Sequence, residues 1–225
     1  MPKPKKEKFD VTSLQPGSET DIPPFIIQNV VSTNSLGANH IDLKQLSQLY
    51  KCCEYNPQTF AATTMRILKP RSTALIFASG NMVVTGCKST LDSRLAARKY
   101  TRIFQQLKMP VMFRKFRIQN IVASTAAGFP IKLQDIANEF GAYVSFTPDL
   151  FPGLIFRCKN PKLVFLIFRS GKIVITGARK VEDIKKTYET LFANILLKYK
   201  DEEDTATSSS VYRNTLRNKR DTSNL

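Results

Sequence analysis

The run Phe77-Ala78-Ser79-Gly80-Asn81-Met82-Val83-Val84-Thr85-Gly86 returns at an offset of 91 as Phe168-Arg169-Ser170-Gly171-Lys172-Ile173-Val174-Ile175-Thr176-Gly177. In each copy Ser-Gly followed by a polar residue is a tight-turn signature, and the apolar run after it reads as a strand. The offset persists further out. Ile118-Gln119-Asn120 falls on Ile27-Gln28-Asn29, Phe151 on Phe60, Arg157 on Arg66 and Pro161 on Pro70. One offset kept over so many positions marks a duplicated domain. A pseudo-twofold object suits a pseudo-twofold partner, and duplex nucleic acid is the commonest of these.

The copies span roughly 23–112 and 113–200. Residues 1–22, polar and rich in Lys and Pro, are expected to form a flexible basic tail, and 201–225 a second tail. Each copy opens with a strand, Phe25–Thr33 or Phe116–Ser124. A short helix follows, marked by Leu43, Leu46, Leu49 and Tyr50 or by Leu133, Ile136, Ala137 and Phe140. Three strands come next: Phe60–Ile67, Ser72–Phe77 and Met82–Thr85, matched by Phe151–Arg157, Leu163–Phe168 and Ile173–Thr176. A long helix closes each copy. The first has Ser89 as N-cap, runs to about Lys108 and carries the stripe Ala96, Tyr100, Ile103, Leu107; the second carries Val181, Ile184, Tyr188, Leu191, Ile195. The fold class is therefore α+β: an antiparallel sheet with helices on one face. The other face is left bare, and function is sought there.

Of 225 residues, 34 are Lys or Arg and 18 Asp or Glu, for a net charge of +16. A surplus of that size points to a polyanion, nucleic acid before acidic protein or membrane. No apolar run approaches the ~20 residues needed to span a bilayer. No apolar stretch follows Met1-Pro2-Lys3-Pro4-Lys5-Lys6, so a secretory signal is not expected. Cys52, Cys53, Cys87 and Cys158 form no Cys-x-x-Cys pair and read as reduced thiols of an intracellular protein. Enzyme motifs fail on inspection. Gly80–Ser89 resembles a phosphate loop, but its glycine spacing is one too long and Cys87 follows Gly86. His40 is the only histidine and has no evident nucleophile. No catalytic residue, metal or cofactor is expected.

Phe60 and Phe77 are 17 residues apart, as are Phe151 and Phe168. Set on the bare face they are exposed apolar wedges of the kind that insert between base steps in a minor groove. Around them lie Val31, Leu75, Val83 and Thr85 in one copy, and Val122, Pro152, Val164, Leu166, Val174 and Thr176 in the other. A close-packed floor of this sort has no room for the guanine amino group and selects A·T by exclusion. Asn29 and Asn120 can donate amide hydrogens to the minor-groove acceptors. Arg66 and Arg157, with Arg71 and Lys162, are candidate phosphate contacts. On the first long helix Arg94, Arg98 and Arg102 lie four apart, with Lys99 beside them; this basic ridge suits acidic partner proteins.

With these residues in place the chain resembles the TATA-box-binding proteins over residues 23–200. The matching segments are Gln28-Asn29-Val30-Val31-Ser32-Thr33, Glu54-Tyr55-Asn56-Pro57, Met65-Arg66-Ile67, Thr73-Ala74-Leu75-Ile76-Phe77, Ser93-Arg94-Leu95-Ala96-Ala97-Arg98-Lys99-Tyr100 and Leu150-Phe151-Pro152-Gly153-Leu154-Ile155. The resemblance implies a ten-stranded saddle that grips and bends promoter DNA through the minor groove; this family is the standing example of wedge kinking. It also implies nuclear action, transcription factors IIA and IIB, TATA-binding-protein-associated factors and the RNA polymerase machinery as partners, and a possible self-dimer off DNA. By the same resemblance Glu54, Tyr55 and Asn56 would meet factor IIA, and Asp149 and Leu150 factor IIB.

Two places depart from the family. Gln58-Thr59 stand where two basic residues are usual before the first wedge. Thr147-Pro148-Asp149 replace a pair of glutamates around a proline. The alternative reading is a divergent relative with altered DNA preference, acting mainly as a protein-interaction platform.

Overall fold

The computed structural model describes residues 7–14, 22–50 and 52–202. The first repeat contributes β1 (Ile26–Ser35), α1 (Leu43–Leu49), β2 (Cys53–Glu54), β3 (Ala62–Leu68), β4 (Arg71–Phe77), β5 (Asn81–Cys87) and α2 (Thr90–Gln106). The second contributes β6 (Arg114–Ala126), α3 (Leu133–Glu139), β7 (Val144–Thr147), β8 (Phe151–Arg157), β9 (Val164–Ile167), β10 (Lys172–Ala178) and α4 (Val181–Leu191). The strands hydrogen-bond in the order β2-β3-β4-β5-β1-β6-β10-β9-β8-β7. That order reads the same from either end in repeat equivalents, as a duplicated α+β domain requires.

Packing divides the chain into two compact units. One comprises Ile26–Ala123 with Thr176–Val181, and the other is built around Ser124–Ile175. In the first unit alternate strand residues separate the two faces. Val30, Ser32, Ala74, Ile76, Met82 and Val84 are buried, while Asn29, Val31, Leu75, Val83 and Thr85 are half-buried. The buried set lies beneath α1 and α2. The Ser89 hydroxyl caps α2 by accepting from the Asp92 N–H at 2.9 Å. The buried face of α2 is rotated from the expected stripe. Ala96 and Tyr100 are fully buried, but Ile103 and Leu107 are only half-buried, and Ala97 and Phe104 take their place. A 3.6-residue period carries the contact line from Ala97 through Tyr100 to Phe104. The Tyr100 hydroxyl donates to the Ser72 carbonyl at 2.8 Å, and burial pushes its pKa above the usual phenol value.

The second unit repeats the alternation: Leu154, Phe156, Phe165, Ile167, Ile173 and Ile175 are buried. Expected as one helix, the closing segment instead ends its α-helical part at Leu191 and continues as a π turn over Phe192–Leu196. Ile184, Tyr188, Leu191 and Ile195 keep their buried stripe through the change; Val181 is half-buried.

Part of each segment expected as a tail makes contacts with the second unit. Within the segment expected as a flexible tail, residues 7–14 are ordered against the second unit. The Phe9 N–H donates to the Arg157 carbonyl at 2.8 Å, and Val11–Ser13 form a 3-10 turn capped by Asp10. Phe9 and the buried Val11 supply apolar anchors that the surrounding lysines and prolines obscured. Asp201 is likewise buried, its N–H donating to the Pro130 carbonyl at 2.8 Å. The rest of the two expected tails, 1–6, 15–21 and 203–225, lies outside the described residues.

Candidate nucleic-acid interface

The half-buried face of each unit is built from residues the sequence singled out. In the first unit β4 sits between β3 and β5, with Leu75 opposite both Thr64 and Val83, and Thr73 opposite both Arg66 and Thr85. This gives a row of short apolar and hydroxyl side chains with an arginine at its end. In the second unit β8 and β9 set Leu166 opposite Ile155 and Val164 opposite Arg157. Pro152 is exposed and Val174 half-buried there, while Val122 and Thr176, which belong to the first unit, are half-buried.

Each phenylalanine pair comes together within its own unit. Phe60 and Phe77 meet edge-to-face with ring centres 6.2 Å apart, and Phe151 and Phe168 at 5.8 Å. Phe60 is 49% exposed and Phe151 37% exposed, whereas their mates are half-buried. Each pair is therefore an exposed ring braced by a partner ring, a stiff apolar wedge. Gly153 makes room for the second pair. A Cβ there would stand 2.7 Å from the Phe151 ring and 3.0 Å from the Phe168 ring.

The two asparagines carry the most specific geometry. The Asn29 carbonyl oxygen accepts from the Gly86 N–H at 2.8 Å, and its Nδ2 lies 3.2 Å from the Thr85 hydroxyl. The Asn120 carbonyl oxygen accepts from the Gly177 N–H at 2.8 Å, with Nδ2 3.2 Å from the Thr176 hydroxyl. Gly86 and Gly177 have φ of 95° and 100°, a region open to glycine, and this conformation aims their N–H groups at the asparagines. The carbonyl end of each amide is thus held by backbone, so the amino end is the one left to donate. An amide has two such hydrogens, and the threonine hydroxyl can take only one of them.

The basic candidates differ in how free they are. Arg66 pairs with Glu54 at 2.9 Å, so one expected phosphate contact and one expected partner contact are joined in a single exposed ion pair. Such a pair holds its members weakly, by about 0–1 kcal/mol, and either can be drawn away. Arg157 donates to the Ser145 hydroxyl at 3.1 Å. Arg71 and Lys162 are exposed. On α2, Arg94 lies over the Phe116 ring and Arg98 over the Phe113 ring, at 5.8 and 5.7 Å. Lys99 turns away from this ridge and donates to the Lys69 carbonyl at 2.7 Å. In the loop after β2, Asn56 accepts from the Gln58 N–H at 3.2 Å, and Tyr55 packs against the core. Leu150 is 83% exposed beside the exposed Asp149.

Repeat logic missed several residues of this face. Gln119 donates to the Thr33 hydroxyl at 2.7 Å. Both line a cavity of about 520 Å³ with Phe77, Val83, Lys115 and Arg117. At the 91-residue offset Lys115 and Arg117 fall on Pro24 and Ile26, so no repeated pattern marks them. Their charge beside the strand that opens the second copy was the available signal. Among the described residues no cluster of metal-ligating side chains occurs.

Comparison with known proteins gives the family of the chain. The family model described as "Transcription factor TFIID (or TATA-binding protein, TBP)" matches residues 24–107 and 115–199, one match per repeat. TATA-box-binding protein 1 of Triticum aestivum is 51% identical over 175 residues, covering 78% of this chain and 74% of that one. The TATA-box-binding protein of Saccharomyces cerevisiae is 49% identical over 189 residues, covering 81% and 78%. Among solved structures, Methanococcus jannaschii TBP superposes with a TM-score of 0.68 at 34% identity, over 76% of this chain and 97% of that one. The two-repeat sheet, the family model and relatives at about half identity converge: this chain belongs to the TATA-binding protein family, a family of DNA-binding transcription factors and not of enzymes.

Proposed function

We propose that the protein is a general transcription initiation factor that binds the minor groove of A·T-rich TATA elements, kinks the duplex with two phenylalanine pairs and nucleates preinitiation-complex assembly. The observation that carries this reading is the repeated Asn-Thr-Gly arrangement. Each asparagine carbonyl is tied to a glycine N–H at 2.8 Å, which commits the amide to donating. In the minor groove an A·T pair offers acceptors alone, while G·C adds a donor. Two fixed donors on a floor of Val, Leu and Thr match the first and clash with the second. The braced Phe60 and Phe151 rings supply the wedges, and Arg66, Arg71, Arg157 and Lys162 hold phosphates once Glu54 and Ser145 release the two arginines.

The same reading assigns factor IIA to the Glu54-Tyr55-Asn56 edge, factor IIB to Asp149 and Leu150, and associated factors to the Arg94, Arg98 and Lys99 surface, in the nucleus. Asn56 acts there chiefly by shaping its turn, since its side-chain oxygen is already bonded to Gln58.

The test is a bending and binding assay at fixed salt. A TATA duplex labelled at both ends is compared with one whose central A·T pairs are G·C. Expected are selective binding, a loss of about 1–3 kcal/mol per changed pair, and a smaller bend for Phe151→Ala or Phe168→Ala. Equal affinity for both duplexes would sink floor exclusion, and an unchanged bend would sink the wedge assignment.

A further inference from the structure

The two repeats share the paired phenylalanines and the Asn-Thr-Gly arrangement but differ at one sheet edge. Where β8 runs out at Arg157–Lys159, the chain's own N-terminal segment lies alongside it. Phe9 pairs in parallel with Cys158. Its N–H donates to the Arg157 carbonyl, and its carbonyl accepts from the Lys159 N–H, each at 2.8 Å. The Phe9 ring stands edge-on to three others, Phe140, Tyr143 and Phe156, at 5.6, 5.2 and 5.5 Å. One residue later, Asn160 donates to the Asp10 carboxylate at 3.3 Å.

The first repeat has no such box. Phe140, the residue that ends α3, corresponds to Tyr50 at the end of α1. Phe156 and Tyr143 correspond at the offset of 91 to Met65 and Cys52. The duplicated fold therefore does not require three rings here. They form a groove with a backbone edge, an aromatic socket and a polar group one residue further on, the components of recognition by strand addition.

We propose that this edge of the second repeat is a docking groove for an extended protein segment carrying an aromatic residue followed by an acid, and that Glu7–Leu14 is its resident, exchangeable occupant. Two anchors, Phe9 and Val11, with a few hydrogen bonds, are set against the entropy of ordering eight residues, a near balance. The occupant persists because it is tethered, at high effective concentration. A partner presenting the same chemistry must displace it, so the N-terminal segment gates the surface.

The experiment uses the full-length chain and a fluorescein-labelled peptide of the Glu7–Leu14 sequence. Phe9→Ala in the chain empties the socket. The variant is expected to bind the peptide saturably, at least about tenfold more tightly than the wild-type chain. A peptide with alanine at its phenylalanine should not bind. Adding Tyr143→Ala, or Asn160→Ala where the first variant melts early, should weaken capture in the Phe9→Ala background. No binding to the Phe9→Ala chain would overturn the proposal by making the segment a fixed part of the fold. Equal binding to wild type and variant, or indifference to both socket substitutions, would overturn it by placing the peptide elsewhere.

Discussion

On the proposed function, replacing Asn120 by aspartate should separate folding from DNA recognition at a single atom. The carbonyl oxygen that accepts from the Gly177 N–H at 2.8 Å is kept, and it becomes a charged acceptor, which makes that bond stronger. The Thr176 hydroxyl, 3.2 Å from the amide nitrogen, can donate to the new oxygen. Thermal stability should hold or rise. The minor-groove donor is gone, however, which costs about 1–3 kcal/mol of recognition. A carboxylate facing the acceptors of an A·T pair is left unpaired, at about 1–3 kcal/mol or more. Together, at about 2–6 kcal/mol, they predict binding weaker by about 30-fold or more. Asn120→Ala loses the donor without adding the charge, and it strands the Gly177 N–H. It should bind DNA better than the aspartate variant and melt earlier. The two substitutions thus rank oppositely in the two measurements. Fluorescence anisotropy with a TATA duplex at one salt concentration, beside thermal melting, reads both. Binding by the aspartate variant within about twofold of wild type would refute the donor assignment, and the equivalent change at Asn29 repeats the test.

Other outcomes follow from the same geometry. Gly153→Ala puts a Cβ against both rings of the second wedge, so energy-transfer bending should fall while melting changes little; a full bend would show that the rings rotate aside freely. Tyr100→Phe strands the Ser72 carbonyl beneath α2 and should cost about 1–2 kcal/mol in denaturant unfolding; no loss would mean that bond contributes nothing. Cys52 is exposed and the other three thiols are buried, so brief alkylation of the native chain at pH 8 should add a single mass label; rapid multiple labelling would contradict the packing. Burial raises the Cys53 thiol from 9.0 to about 11 and the Cys158 thiol to about 12. Groups raised on folding favour the protonated native state, so their contribution is complete below pH 9 and is lost as pH climbs through 11 to 12. Denaturation midpoints should therefore decline above pH 9, and a flat profile to pH 11 would contradict the burial of both thiols.

The duplication was legible because it is a property of spacing: an offset of 91 survives whatever the chain folds into. Period-two alternation in β4 and β5 placed Leu75, Val83 and Thr85 on one face, since a strand has no other way to dispose of its side chains. Four things needed the tertiary structure. The buried face of α2 moved to Ala97 and Phe104 because helix rotation is settled by what the sheet offers, not by which residues are apolar. Arg66 and Glu54, 12 positions apart, proved to be one ion pair only when β2 was laid beside β3. Phe9 found its socket on residues more than a hundred positions away, so no local pattern could announce it. The direction of the two asparagine amides belongs to the same class. The sequence determined that Asn29 and Asn120 are equivalent; the left-handed Gly86 and Gly177, folded beside them, decided which end of each amide is free, because an amide points whichever way its fixed hydrogen bond requires.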